Sequence, residues 1–234
     1  AALNIATHLV EQEPKDVPAL FYLSHIALKT HEYELAAKTL DKILNIDPTS
    51  NLEQILAGIA PENAQDREIL LNALRASTEK DNPSILALIA GLEAQDGLYE
   101  QALKNINRAL RKRSKSTSFI LMKANLLMAL QDDEATQKWF AKASRKNKEN
   151  LDIRLAEARY YIQINDQQTA LEKLEDVIKD HPNAEEALFI AGLTSIDLKQ
   201  YEKAEHNINR NLKKIGRMAG LCIPLTTYVA RHTW

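Results

Sequence analysis

Apolar residues keep a helical period along most of the chain. Ile55, Leu56 and Ile59 are followed by Ile69, Leu70, Ala73 and Leu74 at three- and four-residue spacing. The opening stretch "AALNIATHLV" is already in this rhythm. Punctuation falls between such runs: Gly97 follows one apolar helix, and Pro14, Pro48 and Pro182 follow others. Glycine suits a left-handed turn after a helix, and proline stops one helix before the next begins.

The rhythm repeats at a longer scale. "GLYEQALKNI" at Gly97–Ile106 returns as "HEYELAAKTL" at His31–Leu40 and "KQYEKAEHNI" at Lys199–Ile208. Tyr99 and Tyr201 lie 102 residues apart, three periods of 34, and Tyr33 precedes Tyr99 by 66. Units starting at Val17, Asn51, Pro83, Thr117, Leu151 and Glu185 bring three columns into line. The eighth position reads Ser24, Gly58, Ala90, Ala124, Ala158 and Gly192. The twentieth reads Ala36, Leu70, Ala102, Thr136, Ala170 and Ala204, and the twenty-fourth Leu40, Leu74, Ile106, Phe140, Leu174 and Ile208. Two helices of a hairpin approach closely only where side chains are small. A large apolar residue beside the contact fills the remaining space, and stacked neighbours cover what each hairpin leaves bare.

In Leu20, Leu23, Ser24, Ala36, Leu40 and Pro48, and in the 34-residue period, the chain resembles the tetratricopeptide repeat (TPR) family from Ala2 to about Gly216. The resemblance implies an all-α, right-handed superhelical solenoid of antiparallel helix hairpins. Residues 1–16 are expected to form the second helix of a truncated leading repeat, 17–216 about six units, and 217–234 an atypical tail interrupted by Pro224. The second unit is degenerate: Pro61 splits it, so a short first helix at 52–59 and a longer second one from about Ala64 are expected. The fourth and fifth units carry Asp133 and Gln167 where the tyrosine stands elsewhere. The absence of an initial methionine reads as a piece cut from a longer protein, so a targeting signal would lie outside it.

Composition changes this picture little. The 234 residues are 45% hydrophobic and 26% charged, with a net charge of −2, so the molecule as a whole does not attract nucleic acid or anionic membrane. The single cysteine, Cys222, excludes a disulfide within the chain.

The resemblance also implies where a partner binds: on the first helix of each unit, which lines the concave groove in this family. Carried over residue by residue, the groove set is Phe21, His25, Leu121, Asn125, Met128, Leu155, Arg159, Ile162, Phe189 and Leu193, with small residues Ser84, Ala87, Gly91 and Ala94 in the third unit. The carboxylate clamp of some family members is missing, because the fifth positions of these units are Phe21, Ala87, Leu121, Leu155 and Phe189. An apolar strip with Asn125 and Arg159 as polar points suits an amphipathic helix or an extended apolar segment. Packing between repeats is the competing role for the same residues. For Arg159 the competitor is a local ion pair with Asp152 or Glu157.

A second surface shows in the charges. Lys104, Arg108 and Lys112, then Lys138, Lys142 and Lys146, follow four-residue spacing and line one face of each second helix as a basic ridge. Arg111, Arg113, Lys115, Arg145 and Lys148 thicken it. Such a face is ordinarily solvated. Nucleic acid is not expected as its partner, since the interleaved aromatics that stack on single strands are lacking.

Chemistry is absent from the sequence. There is no phosphate loop, no His-Glu-x-x-His and no paired cysteines, and the six histidines show no metal spacing. Acidic residues are expected at solvent positions. No cofactor, metal or catalytic residue is therefore assigned. The sequence reads as a non-catalytic protein-interaction scaffold, with self-association open. The resemblance adds bacterial cell-envelope assembly, in the periplasm or at a membrane rather than in the cytoplasm. The alternative is the substrate-recruiting arm of a larger enzyme.

Overall fold

A computed structural model describes residues 1–50, 52, 61–198, 206–210 and 212–213. The expected helix at 52–59, apart from the buried Leu52, the tail at 217–234 and Cys222 lie outside the described residues. Among those described, eleven helices follow one another from Ala2 to Asp197, residues 206–210 and 212–213 are helical as well, and no strand occurs. They are α1 (Ala2–Gln12), α2 (Val17–Lys29), α3 (Tyr33–Ile46), α4 (Ala64–Arg75), α5 (Pro83–Gln95), α6 (Tyr99–Lys112), α7 (Thr117–Ala129), α8 (Asp133–Lys146), α9 (Leu151–Gln163), α10 (Gln167–Asp180) and α11 (Glu185–Asp197). The chain divides into two compact units, Ala1–Thr136 and Gln137–Trp234.

Local chemistry sets the helix starts. Pro18 and Pro83 stand in the first turns of α2 and α5, where a missing N–H costs nothing. The Asn63 and Asn150 side chains accept from the backbone N–H of Asp66 and Ile153, at 2.8 and 3.2 Å. Asp132 does the same for Ala135 at 3.0 Å and Asp166 for Thr169 at 3.1 Å.

The hairpin turns share one geometry. His31, Gly97, Gln131 and Asn165 all have positive φ, between 56° and 76°. The residue after each donates back across the turn: Glu32 to Ala27 and Leu98 to Glu93 at 2.8 Å, Asp132 to Leu127 at 3.2 Å, Asp166 to Tyr161 at 2.8 Å. This six-to-one bond closes a Schellman motif and reverses the chain.

In the first unit, α1 packs on α2, α2 pairs with α3, α4 lies against α3 and α5, and α5 pairs with α6, which supports α7. One core cluster runs from Ala6 and Val10 through Leu20, Leu40 and Leu74 to Leu92. In the second unit α9 pairs with α10, which packs on α11 around Ala158, Leu174, Val177 and Leu188. Phe140 lies over Tyr160 with ring centroids 5.6 Å apart.

The aligned columns lie largely in the core; Ile208 is half-buried, and Gly58 and Ala204 lie outside the described residues. Ser24, Ala90, Ala124 and Ala158, then Leu70, Ala36, Ala102, Thr136 and Ala170, then Leu40, Leu74, Ile106, Phe140 and Leu174, expose 1% of their surface or less. Loops add a polar stitch with the same offset. Asn82 Nδ2 donates to the Pro48 carbonyl at 3.2 Å and Ser84 Oγ to the Ser50 carbonyl at 3.0 Å, each spanning 34 residues.

Candidate functional site

A solenoid of hairpins offers surfaces rather than an enclosed centre, so each candidate is judged by what its helix exposes. On α2, Phe21 is half-buried against the core and His25 is half-buried beside it. Tyr22, which the sequence did not single out, stands 69% exposed. On α5 the small residues Ser84 and Ala87 are buried, and Gly91 and Ala94 are half-buried. On α7 Leu121 and Met128 are half-buried and Asn125 is exposed.

In the second unit the set divides. Leu155 is 3% exposed and belongs to the core cluster, so it offers no contact to a partner. Its position on α9 turns it toward α10, and apolar type alone does not distinguish groove from core. Ile162 is half-buried. Arg159 is exposed, and its guanidinium pairs with Glu186 of α11 rather than with Asp152 or Glu157. On α11, Phe189 is 55% exposed and Leu193 47%, and Ile196 at 42% extends the same face. Spacing of four and then three residues puts all three on one side of the helix.

The basic ridge is partly neutralised. Lys104, Arg108 and Lys112 are exposed on α6. The Arg108 guanidinium pairs with Asp81, and Lys112 Nζ donates to the Asp81 carbonyl at 2.8 Å. Arg113 turns inward and donates to Ser84 Oγ at 3.0 Å and to the Pro48 carbonyl at 2.9 Å. In the second unit Lys138, Lys142 and Lys146 are exposed on α8.

Two carboxylates correct the expectation that acidic residues stay at solvent positions. Glu93 is buried and accepts from Arg75 Nη2 at 3.0 Å and Asn105 Nδ2 at 2.8 Å. Glu157 is buried with its Oε1 3.0 Å from Lys173 Nζ, an ion pair. Burial pulls the Lys173 pKa down, and Glu157 more than reverses this, so the ammonium titrates above its ordinary value. Among the described residues no three His, Cys, Asp or Glu side chains converge to hold a metal, and no helix is long and apolar enough to cross a membrane.

With helices paired in this way and side chains exposed along their faces, the fold is that of an α-helical repeat protein. A family model described as tetratricopeptide repeat matches residues 155–210. The crystal structure of MamA is similar, at 16% identity and a TM-score of 0.52, over 67% of this chain and 92% of that one. A further MamA structure matches at 14% identity and 0.52 over 90% of this chain and 97% of the other. MamA from residue 41 onward of Desulfovibrio magneticus RS-1 matches at 14% identity and 0.50, over 65% and 87%. No curated protein sequence matches. Residues 155–210 thus match the tetratricopeptide repeat family, and the fold is all-α, of the solenoid class built from antiparallel helix hairpins. Repeats of this kind present surfaces for protein or peptide partners, and scaffolds built from them are in general non-catalytic.

Proposed function

We propose that the chain is a non-catalytic scaffold that holds an apolar partner segment on the exposed faces of its first helices. The observation that supports this reading most strongly is the row Phe189, Leu193 and Ile196 on α11. Three large apolar side chains on one helix face are what an amphipathic helix or an extended apolar peptide needs as an anchor line. The Arg159–Glu186 pair stands on the neighbouring turn and offers a polar rim. In the first unit, Phe21, His25, Leu121, Asn125 and Met128 are the corresponding set, and Tyr22 joins it by exposure. Leu155 leaves the set because it is buried. Service in bacterial cell-envelope assembly is part of the reading on the resemblance alone, and the identity of the captured partner tests it.

The test is affinity capture from source-cell lysate, comparing wild type with a Phe189→Glu, Leu193→Glu double variant. Both positions are exposed, so circular dichroism is expected to show unchanged helicity. A partner held by wild type and lost from the variant supports the reading. Identical capture by both removes α11 from the binding surface.

A further inference from the structure

The second unit also contains a cleft of about 370 Å³ between the C-terminal half of α8, the start of α9 and the end of α10. Its charges do not cancel. Arg154 Nη1 pairs with Asp180 Oδ2 at 2.8 Å, and Lys173 with Glu157 at 3.0 Å. Setting these pairs aside leaves Arg145, Lys148 and Lys179 against the single carboxylate of Asp176: three minus one, an excess of two positive charges. Arg145, Lys148 and Lys179 are exposed, so their charges face whatever enters. The cleft wall also holds the Ser144 hydroxyl, whose oxygen is buried and has no hydrogen-bond partner. A buried hydroxyl without a partner is costly unless something supplies one.

We propose that this cleft is a site for a phosphate monoester. Such a group carries between one and a half and two negative charges near neutral pH and three acceptor oxygens, by the rough values for phosphorylated side chains. Two charges match the excess. The acceptor oxygens take the Arg145 guanidinium, the two ammonium groups and the Ser144 hydroxyl as donors. A carboxylate brings one charge and two oxygens, and leaves part of this donor set unused. The phosphate arrives either on a polypeptide side chain or on a free small molecule, with the same contacts. This surface is formed mainly by second helices and is separate from the apolar row on α11, so either reading stands without the other.

Amide chemical-shift titrations test it. The probes are inorganic phosphate, a short uncharged peptide bearing one phosphoserine, and the same peptide unphosphorylated. Saturable shifts are expected around Ser144–Lys148 and Lys173–Asp180 with the two phosphate probes and not with the unphosphorylated peptide. Lys148→Ala, Lys179→Ala is expected to weaken binding about tenfold or more, and Ser144→Ala by a smaller factor. Lys104→Ala, Lys112→Ala on α6 is expected to leave it unchanged. Tighter binding of the phosphopeptide assigns the ligand to a polypeptide, and equal or tighter binding of inorganic phosphate assigns it to a small molecule. Equal loss in the α6 control, shifts spread over both units, or equal binding of the unphosphorylated peptide overturns the site.

Discussion

Single residues set the turns, and the turns carry a measurable strain. Gly97 holds φ 76° and a Cβ built there meets nothing within 4 Å. Gly97→Ala therefore costs backbone energy alone, about 1 kcal/mol, and thermal or urea unfolding checks it. His31, Gln131 and Asn165 hold the same conformation with side chains present. Of these four, glycine alone announces a left-handed turn in sequence. The others became visible through the structure, because asparagine and histidine only lean that way and glutamine does not. His31 shows a second consequence. Its Nδ1 lies 2.8 Å from both the Tyr33 hydroxyl and Asp66 Oδ2, tying the first hairpin turn to α4. The Asn63 amide, then His31 and Tyr33, hold the Asp66 carboxyl below its ordinary value, while burial and Asp66 push the Tyr33 phenol up to about 12. A depressed carboxyl means the unfolded chain binds the proton more readily. The contribution of Asp66 is thus full above its unfolded pKa, about 3.9, and lost as pH falls through the lower folded value. Asp66→Asn is expected to flatten stability against pH in that window, measured by acid unfolding.

Helices and their pairing were the most legible level. Most described positions of the small and large columns are buried, and a 34-residue period was enough to find them because packing imposes the same demand on each hairpin. Ala102 is fully buried in the α5–α6 hairpin. Ala102→Leu adds apolar volume, yet overpacking is expected to destabilise by about 1–3 kcal/mol, read from the urea midpoint at unchanged slope. A stabilised variant would show that the small column is not a close contact. Individual faces were less legible. Leu155 and Phe189 occupy equivalent positions in successive units, but one is in the core and the other on the surface. Register within a repeat does not settle exposure; the neighbouring helix does. Glu93 and Glu157 illustrate the same limit, since their partners Arg75, Asn105 and Lys173 are distant enough in sequence to escape spacing arguments.

For the whole molecule the central claim is directional: partners meet the first helices, and the outer faces of the second helices stay free of the apolar partner. Site-specific photocrosslinking tests it most directly. A benzophenone side chain would replace Leu193 or Asn125 in two variants, and Lys104 or Glu172 in two others, all exposed positions on α11, α7, α6 and α10. After illumination in source-cell lysate, one discrete adduct is expected from Leu193 and Asn125 and none of the same species from Lys104 and Glu172. Adducts of that species from the second-helix positions, with none from Leu193 or Asn125, would contradict the account.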